Sequence, residues 1–220
     1  MERTFWNELW IARWSLLQAF GVTVEVAVMV ILVGTALGLI GGLVLVYGYR
    51  PFRWLIRAYV DIIRGIPVLV LILFFYYGLA MFKINIPPMW AGIISLGAFC
   101  AAHMSETIRG AIQSIPVSQS EAGKAIGLRF GQRLLYVILP QALRRVVPPW
   151  INTAVEMVKG TTLLSIIGVI ELLLATQQSV ARNYLILEFY FFLIVLYFVI
   201  NFTLSQLGAM FERRFAYLKY

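Results

Sequence analysis

Apolar residues gather in five long stretches that are separated by shorter polar segments. A helix needs roughly 20 apolar residues to cross the hydrocarbon layer of a bilayer, which is about 30 Å thick. The stretches approach or exceed that length, so the pattern predicts five transmembrane helices. Their approximate bounds are Phe20–Tyr47, Ile66–Phe82, Met89–Ile112, Val146–Leu174 and Leu185–Met210.

Small residues recur every four positions in the first predicted span. Gly34, Gly38 and Gly42 follow one another at this spacing. Such spacing places small residues on one helix face, where a second helix can approach closely. We therefore expect this face to contact another span.

The segment before the first span has a different pattern. Trp6, Trp10 and Trp14 recur every four residues and share one helix face, and charged residues lie between them. Tryptophan is enriched at the depth of the lipid headgroups, so residues 3–16 are predicted to form a separate amphipathic helix in the interface. The alternative is a packing face inside a larger bundle. The segment has neither the clean apolar core nor the small-residue cleavage site of a signal peptide.

Composition supports the membrane interpretation and excludes two other classes. Hydrophobic residues make up 61% of the 220 residues and charged residues 13%, whereas soluble domains average about 45–50% and about 25%. The chain is too apolar for a single soluble core and for a disordered segment. We therefore predict an all-α integral membrane protein.

The basic residues are distributed unequally between the two sides of the predicted spans. Of the 18 lysines and arginines, 13 lie on one side and four on the other, while Lys159 falls within a span. Cytoplasmic loops carry the excess of Lys and Arg, so the prediction places the C-terminus in the cytoplasm and the N-terminus outside. Because topology explains the net charge of +8, no nucleic-acid partner is expected.

The only long connection, residues 115–147, is patterned for helices on the cytoplasmic side. A short helix is predicted at Glu121–Ile126, with Ser118 or Ser120 as its cap and Gly127 as its stop. A second helix is predicted from about Phe130 until Pro140. Such a short helix suits docking into a groove of a soluble partner; the alternative is a solvated loop helix.

Ionisable residues inside spans are costly and are candidates for a substrate pathway. His103 and Glu106 are three residues apart in the third span, where a carboxylate can hold the amino group of a substrate. The alternative is a structural arrangement in which Glu106 bonds Arg109 and His103 bonds backbone. Glu156 and Lys159 have the same spacing in the fourth span, where structural pairing is favoured.

No catalytic or metal site is predicted. The chain has one cysteine and one histidine, Cys100 and His103, and no nucleotide-binding loop, zinc-protease motif or nucleophile elbow. Cys100 is expected to be a buried small residue.

The long connection resembles a known motif. Glu121–Gly127 reads Glu-Ala-Gly-x-x-x-Gly, and nine residues later Val137–Pro140 reads Val-Ile-Leu-Pro. This is similar to the EAA loop of ABC-importer permeases, with Gly123 in place of the second Ala and Val137 in place of Ile. Further segments resemble the polar amino-acid (histidine/glutamine/arginine/glutamate) subfamily; these are Arg64–Pro67, Ser105–Pro116, Leu139–Arg144 and Lys159–Leu172.

The resemblance implies the fold and the partners. Residues 1–220 would form a single permease domain, the transmembrane domain of a type I ABC importer, in the bacterial cytoplasmic (inner) membrane. It would pair with a second, identical or homologous permease, two ATPase subunits and a periplasmic or extracellular solute-binding protein. ATP and Mg would bind the ATPase subunits and no cofactor would bind this chain, which is not itself an enzyme.

The resemblance also assigns roles. ATP-driven alternating access would import a polar or charged amino acid through a coupling helix. His103 stands where the family usually has Tyr and would tune specificity. The ATPase-coupling residues would be Glu121, Ala122, Gly123, Gly127, Leu139 and Pro140.

Three other functions remain open from the sequence. They are a permease of another importer class, a membrane enzyme that uses His103 and Glu106, and a membrane scaffold that transports nothing. The Arg-Gly-Ile-Pro segment at Arg64–Pro67 argues against the first. The second lacks a further convergent polar cluster and leaves the EAA-like loop unexplained. The sequence does not identify the amino acid.

Overall fold

A computed structural model describes residues 4–215, with side chains described to residue 210, and every regular element in this range is helical. Two π-helical turns lie at Phe74–Gly78 and Leu134–Ile138, and a 3₁₀ segment lies at Thr161–Ile167. The helices are α1 Phe5–Tyr47, α2 Arg50–Gly65, α3 Val68–Met81, α4 Pro88–Gln113, α5 Val117–Ala125, α6 Phe130–Ile167, α7 Leu172–Asn183 and α8 Ile186–Phe215.

Among the described residues, three helices are long and apolar enough to cross a membrane: α1, α4 and α8. Two further pairs, α2 with α3 and α6 with α7, meet the same criterion together and bend at a short break. If each bent pair is one span, the total of five agrees with the predicted number. The predicted third and fifth spans match α4 and α8 within a few residues at each end.

The predicted boundary after residue 16 is wrong. Helix α1 runs without interruption from Phe5 to Tyr47, and residue 3 lies outside the described range. No glycine, proline or capping residue stands between Leu16 and Phe20, so nothing in the backbone ends the helix there. At 1.5 Å per residue, its length of roughly 64 Å exceeds the thickness of the bilayer core.

The tryptophan face of α1 is nevertheless exposed as its spacing suggested. Trp6, Trp10 and Trp14 are 71%, 67% and 63% exposed, and the Arg13 guanidinium lies 4.0 Å from the centre of the Trp10 ring. The other face packs into an apolar cluster of one compact unit, built from residues 1–32, 66–97 and 154–203. Buried members of that cluster are Ala12, Leu16, Ala19, Leu172, Ala175, Phe189 and Leu193.

A second compact unit comprises residues 33–65, 98–153 and 204–220. Its helix α2 was not foreseen, since residues 48–65 were expected only to connect the first two spans. Val60 of α2 is buried with Leu45 and Ala102. The Tyr59 hydroxyl donates a hydrogen bond of 2.6 Å to the Ala98 carbonyl. These contacts fix α2 against α1 and α4.

The close helix contact predicted from the glycine spacing is confirmed within the second unit. A Cβ built on Gly34 would lie 2.6 Å from the Cβ of Cys100, and one on Gly42 would lie 2.7 Å from the Cβ of Ile108 and 3.0 Å from the Ser105 carbonyl. The backbones of α1 and α4 therefore approach too closely for any side chain at these positions.

Replacing Gly42 by valine is expected to separate α1 from α4. Overpacking typically costs about 1–3 kcal/mol, and the Ser105 backbone cannot move as a flexible side chain would. Thermal unfolding of the detergent-purified protein measures the loss. Gly21→Val in the same helix is the matched control, because a Cβ there meets nothing within 4 Å; equal losses for the two variants would contradict this explanation.

Candidate functional site

Helix α5 presents one face outward and packs the other against the chain. Glu121 and Ala122 are exposed, while Gly123 is buried. A Cβ on Gly123 would lie 3.1 Å from Cγ of Arg133, so the small size of Gly123 serves packing inside this chain. The assignment of Gly123 as an ATPase-coupling residue stays a prediction. The outward surface is formed by Glu121, Ala122 and their exposed neighbours.

The start of α5 differs from the prediction. The N-cap is Pro116, and no side chain caps the helix, so neither Ser118 nor Ser120 has the predicted role. Glu121 is the fifth residue of the helix and therefore lies beyond the first turn, where a negative charge would be stabilised most.

The end of α5 confirms that Gly127 stops the helix. Gly127 has φ +80°, a left-handed conformation that glycine adopts readily. The Leu128 amide donates to the Gly123 carbonyl at 3.0 Å and the Gly127 amide to the Lys124 carbonyl at 2.9 Å. These two bonds form a Schellman motif, which reverses the chain sharply before α6.

Pro140 does not end the second helix, contrary to the prediction. Helix α6 continues through Leu139 and Pro140, and Pro148 and Pro149 lie inside it. The π turn at Leu134–Ile138 precedes Pro140, and the Leu139 amide donates to the Leu134 carbonyl. This wider turn accommodates a ring that would clash with the preceding turn of a regular α-helix.

The loop is fastened to the helices on either side of it. The guanidinium of Arg145 in α6 donates a hydrogen bond to the Ser114 carbonyl at the end of α4. An apolar cluster lies beside this bond and joins the two helices. Its buried members are Ile108, Ile112, Ile115, Ile138 and Ala142.

Glu106 is held between two arginines, so the predicted bond between Glu106 and Arg109 is confirmed, while its role in the substrate pathway stays a prediction. Its carboxylate accepts hydrogen bonds from Nε of Arg109 at 3.0 Å and from Arg57 of α2 at 3.1 Å. The Glu106 and Arg109 side chains are only 22% and 24% exposed. Arg57 was missed by sequence reasoning; the three- and four-residue spacing of Arg50, Arg53 and Arg57 was the available signal for a helix.

His103 lies one turn before Glu106 in α4. Its ring centre is 4.5 Å from that of Phe99, and it is partly buried. The aromatic contact orients the imidazole.

Glu156 and Lys159 do not form the expected pair. Both are exposed on α6, and no ion pair joins these two described residues. The side chains point away from the apolar interior of their unit, where Met157 and Val158 are buried instead. The ionisable groups are therefore available to a neighbouring molecule or a water-filled space.

Glu171 is a buried carboxylate that sequence reasoning quoted only as part of a motif. It is 0% exposed and forms the N-cap of α7, accepting from the amides of Leu173 and Leu174 at 2.9 Å each. The Tyr197 hydroxyl donates to it at 3.2 Å. The position directly before an apolar helix start was the available signal.

Among the described residues, no group of three or more His, Cys, Asp or Glu side chains is placed to hold a metal ion.

Comparisons with known proteins agree with one another. Residues 34–217 match the family described as binding-protein-dependent transport system inner membrane component. The chain is 33% identical to the glutamine transport system permease protein GlnP of Escherichia coli over 95% of this chain and 96% of that protein. It is 37% identical to the L-cystine transport system permease protein TcyB of Bacillus subtilis, covering 87% and 82%.

Solved structures show the same fold. A chain in the crystal structure of an amino acid ABC transporter with histidines aligns with a TM-score of 0.90 and 29% identity, covering 97% of this chain and 100% of that one. A chain of the MetNI methionine ABC transporter aligns with a TM-score of 0.76 at 20% identity, which supports the fold alone.

Proposed function

Because the chain belongs to the binding-protein-dependent transport system inner membrane components, and is an ABC-importer permease of the polar amino-acid type, we propose how it works. Two ATPase subunits bind its cytoplasmic side, a second permease copy or homologue completes the pathway, and a solute-binding protein delivers the amino acid outside. The N-terminus is outside and the C-terminus is in the cytoplasm. Residues 1–220 act as one permease domain.

The observation that carries this proposal is the shape of α5. It is a short helix with Glu121 and Ala122 exposed on one face and Gly123 buried on the other. Its end is fixed by the Schellman motif at Gly127. Closure of the ATPases on ATP binding pulls this helix, and the contacts of Arg145 and the apolar cluster pass the movement to α4 and α6. Two states of this kind, biased by ATP, constitute alternating access.

The substrate is a polar amino acid. The names of the two relatives above give glutamine and L-cystine as the transported compounds. These names support a polar amino acid as the substrate class and leave the individual compound open. We propose His103, Glu106, Glu156 and Lys159 as pathway residues, and Glu106 also positions Arg57 and Arg109. ATP and Mg bind the ATPase subunits. The EAA-like loop and these relatives disfavour a membrane enzyme using His103 and Glu106.

Co-expression with the ATPase from a neighbouring reading frame tests the proposal. The expected result is a stable complex whose ATP hydrolysis in proteoliposomes rises several-fold when the solute-binding protein and its amino acid are added. A matched preparation with the binding protein alone is the control. A chain that purifies without any ATPase, or hydrolysis that ignores the amino acid, would reject this function.

A further inference from the structure

Helix α2 carries a positive stripe, which is a row of four arginines. The carboxylates that contact it among the described residues do not balance its charge. Its basic side chains are Arg50, Arg53, Arg57 and Arg64, and its only acidic residue is Asp61. Successive arginines are spaced by three, four and seven residues, which places them on one face. Arg57 reaches Asp61 at 3.8 Å and Glu106 at 3.1 Å. Arg50 and Arg64 have no ion pair among the described residues.

A second face of α2 is apolar and exposed. Leu55 and Ile62, which are seven residues apart and share this face, are 66% and 59% exposed. A third face, which includes Val60 and Tyr59, packs against the unit itself. A helix with an exposed apolar face on the side roughly opposite its basic face suits the boundary between acyl chains and headgroups.

The basic face contains a small cavity beside Trp54. The cavity has a volume of about 140 Å³ and is lined by Arg53, Trp54 and Arg57. Arg53 uses one guanidinium nitrogen to donate to the Gly48 carbonyl at 3.1 Å, which orients the group. Two guanidinium groups beside an aromatic ring offer fork-shaped donors to the oxygens of a phosphate, as well as a ring that sits well at headgroup depth.

We propose that α2 lies in the membrane interface with Leu55 and Ile62 toward the acyl-chain region, and that an anionic phospholipid places its headgroup phosphate in the Arg53–Trp54–Arg57 cavity. The positive stripe matches the negative surface of the cytoplasmic leaflet, the side that the charge distribution assigns to α2. The exposed apolar face favours lipid over a soluble protein, since a water-soluble partner would have to cover that face as well. Arg57 links this cavity to Glu106, so the bound lipid contacts the same arginine that holds α4.

Native mass spectrometry of the intact transporter, purified with its ATPase subunits, tests the proposal. The complex is exchanged into mixed phosphatidylglycerol and phosphatidylcholine, and the retained lipids are compared between the wild type and Arg50→Gln/Arg53→Gln. Each basic residue near an anionic surface contributes about 1 kcal/mol, so the double variant is expected to retain phosphatidylglycerol roughly 30-fold less well. Retention of phosphatidylcholine is expected to stay unchanged.

Two controls separate lipid binding from misfolding and from loss of charge elsewhere. Arg50→Lys/Arg53→Lys keeps the charge and is expected to keep most phosphatidylglycerol binding, whereas Lys83→Gln removes an exposed charge outside α2 and is expected to change nothing. Equal phosphatidylglycerol retention by the wild type and the glutamine variant would overturn the proposal. Loss of the ATPase subunits from that variant with lipid retention intact would instead assign α2 to protein docking and would equally overturn it.

Discussion

Replacing Gly127 by valine is expected to lower amino-acid transport at least tenfold while ATP hydrolysis by the assembled transporter continues. Gly127 has φ +80°, and a β-branched residue is a pronounced outlier there. The left-handed conformation costs an ordinary residue about 1–2 kcal/mol. The chain avoids this cost by opening the Schellman bonds, which turns α5 away from the surface it presents.

The physical argument separates backbone strain from crowding. A Cβ on Gly127 meets nothing within 4 Å, so the added side chain has room and only the backbone conformation opposes it. Gly127→Asp is expected to act in the same direction but less strongly, because aspartate tolerates the left-handed region better. Assays of ATP hydrolysis and substrate uptake in the same proteoliposomes measure the loss of coupling.

Gly131→Val is the matched control for this experiment. Gly131 lies four residues later, is also exposed, and its added Cβ would likewise meet nothing within 4 Å, but its backbone is helical. It is expected to transport within about twofold of the wild type, because an exposed substitution away from special backbone features changes stability by roughly 0.5 kcal/mol or less. Transport unimpaired in Gly127→Val would show that the turn at Gly127 does not transmit force.

Long apolar stretches predict the membrane helices well. Helices α4 and α8 begin and end within a few residues of the expected positions, because a polar or proline-containing segment borders each at its start. Helix α1 was predicted too short, since its amphipathic start and its apolar continuation follow each other without a helix-breaking residue. Periodicity indicates which residues are helical, but it marks a boundary only where the backbone must change conformation.

Pro140 and the arginines of α2 show where a single residue type is a poor guide to helix boundaries. Pro140 was expected to end a helix, but the neighbouring π turn absorbs it, and no pattern in Leu134–Ile138 announces such a turn. Helix α2 was not predicted, because its four arginines make the segment between the first two spans too polar to stand out as a helix. The apolar residues between them, including Ile56 and Val60, would have revealed a helix that packs on one side.

Part of the candidate site could also be predicted from the sequence. Gly127 was correctly expected to end the coupling helix, since the glycine follows a short helical run directly. Which face of that helix looks outward was not predictable, because Gly123 is buried by Arg133 from a helix ten residues further along the chain. The pairing of Glu106 with Arg109 is local and was weighed; its contact with Arg57 depends on tertiary packing.

Glu171→Ala is expected to lower the stability of the chain by about 3 kcal/mol. The fully buried carboxylate accepts two backbone amide bonds at the start of α7 and one from Tyr197. Each buried donor left without a partner costs about 1–3 kcal/mol, and loss of an N-cap alone costs about 1 kcal/mol. For a chain of this size the expected decrease in Tm is about 10 °C.

The cluster around Glu171 makes the loss larger than that of an isolated cap. Thr23 of α1 accepts from the Leu172 amide at 3.1 Å and donates to the Ala19 carbonyl at 3.0 Å, so the break before α7 is tied to α1 as well. Glu171→Gln keeps one acceptor oxygen but replaces the other with an NH2 group, which only donates, and an intermediate decrease in Tm is expected. Glu188→Ala removes an exposed carboxylate from the first turn of α8 and is the matched control, with a change near 0.5 kcal/mol. The Tm of each variant is measured by thermal unfolding in detergent. If Glu171→Ala and Glu188→Ala have the same Tm, the buried carboxylate does not stabilise the break between α6 and α7.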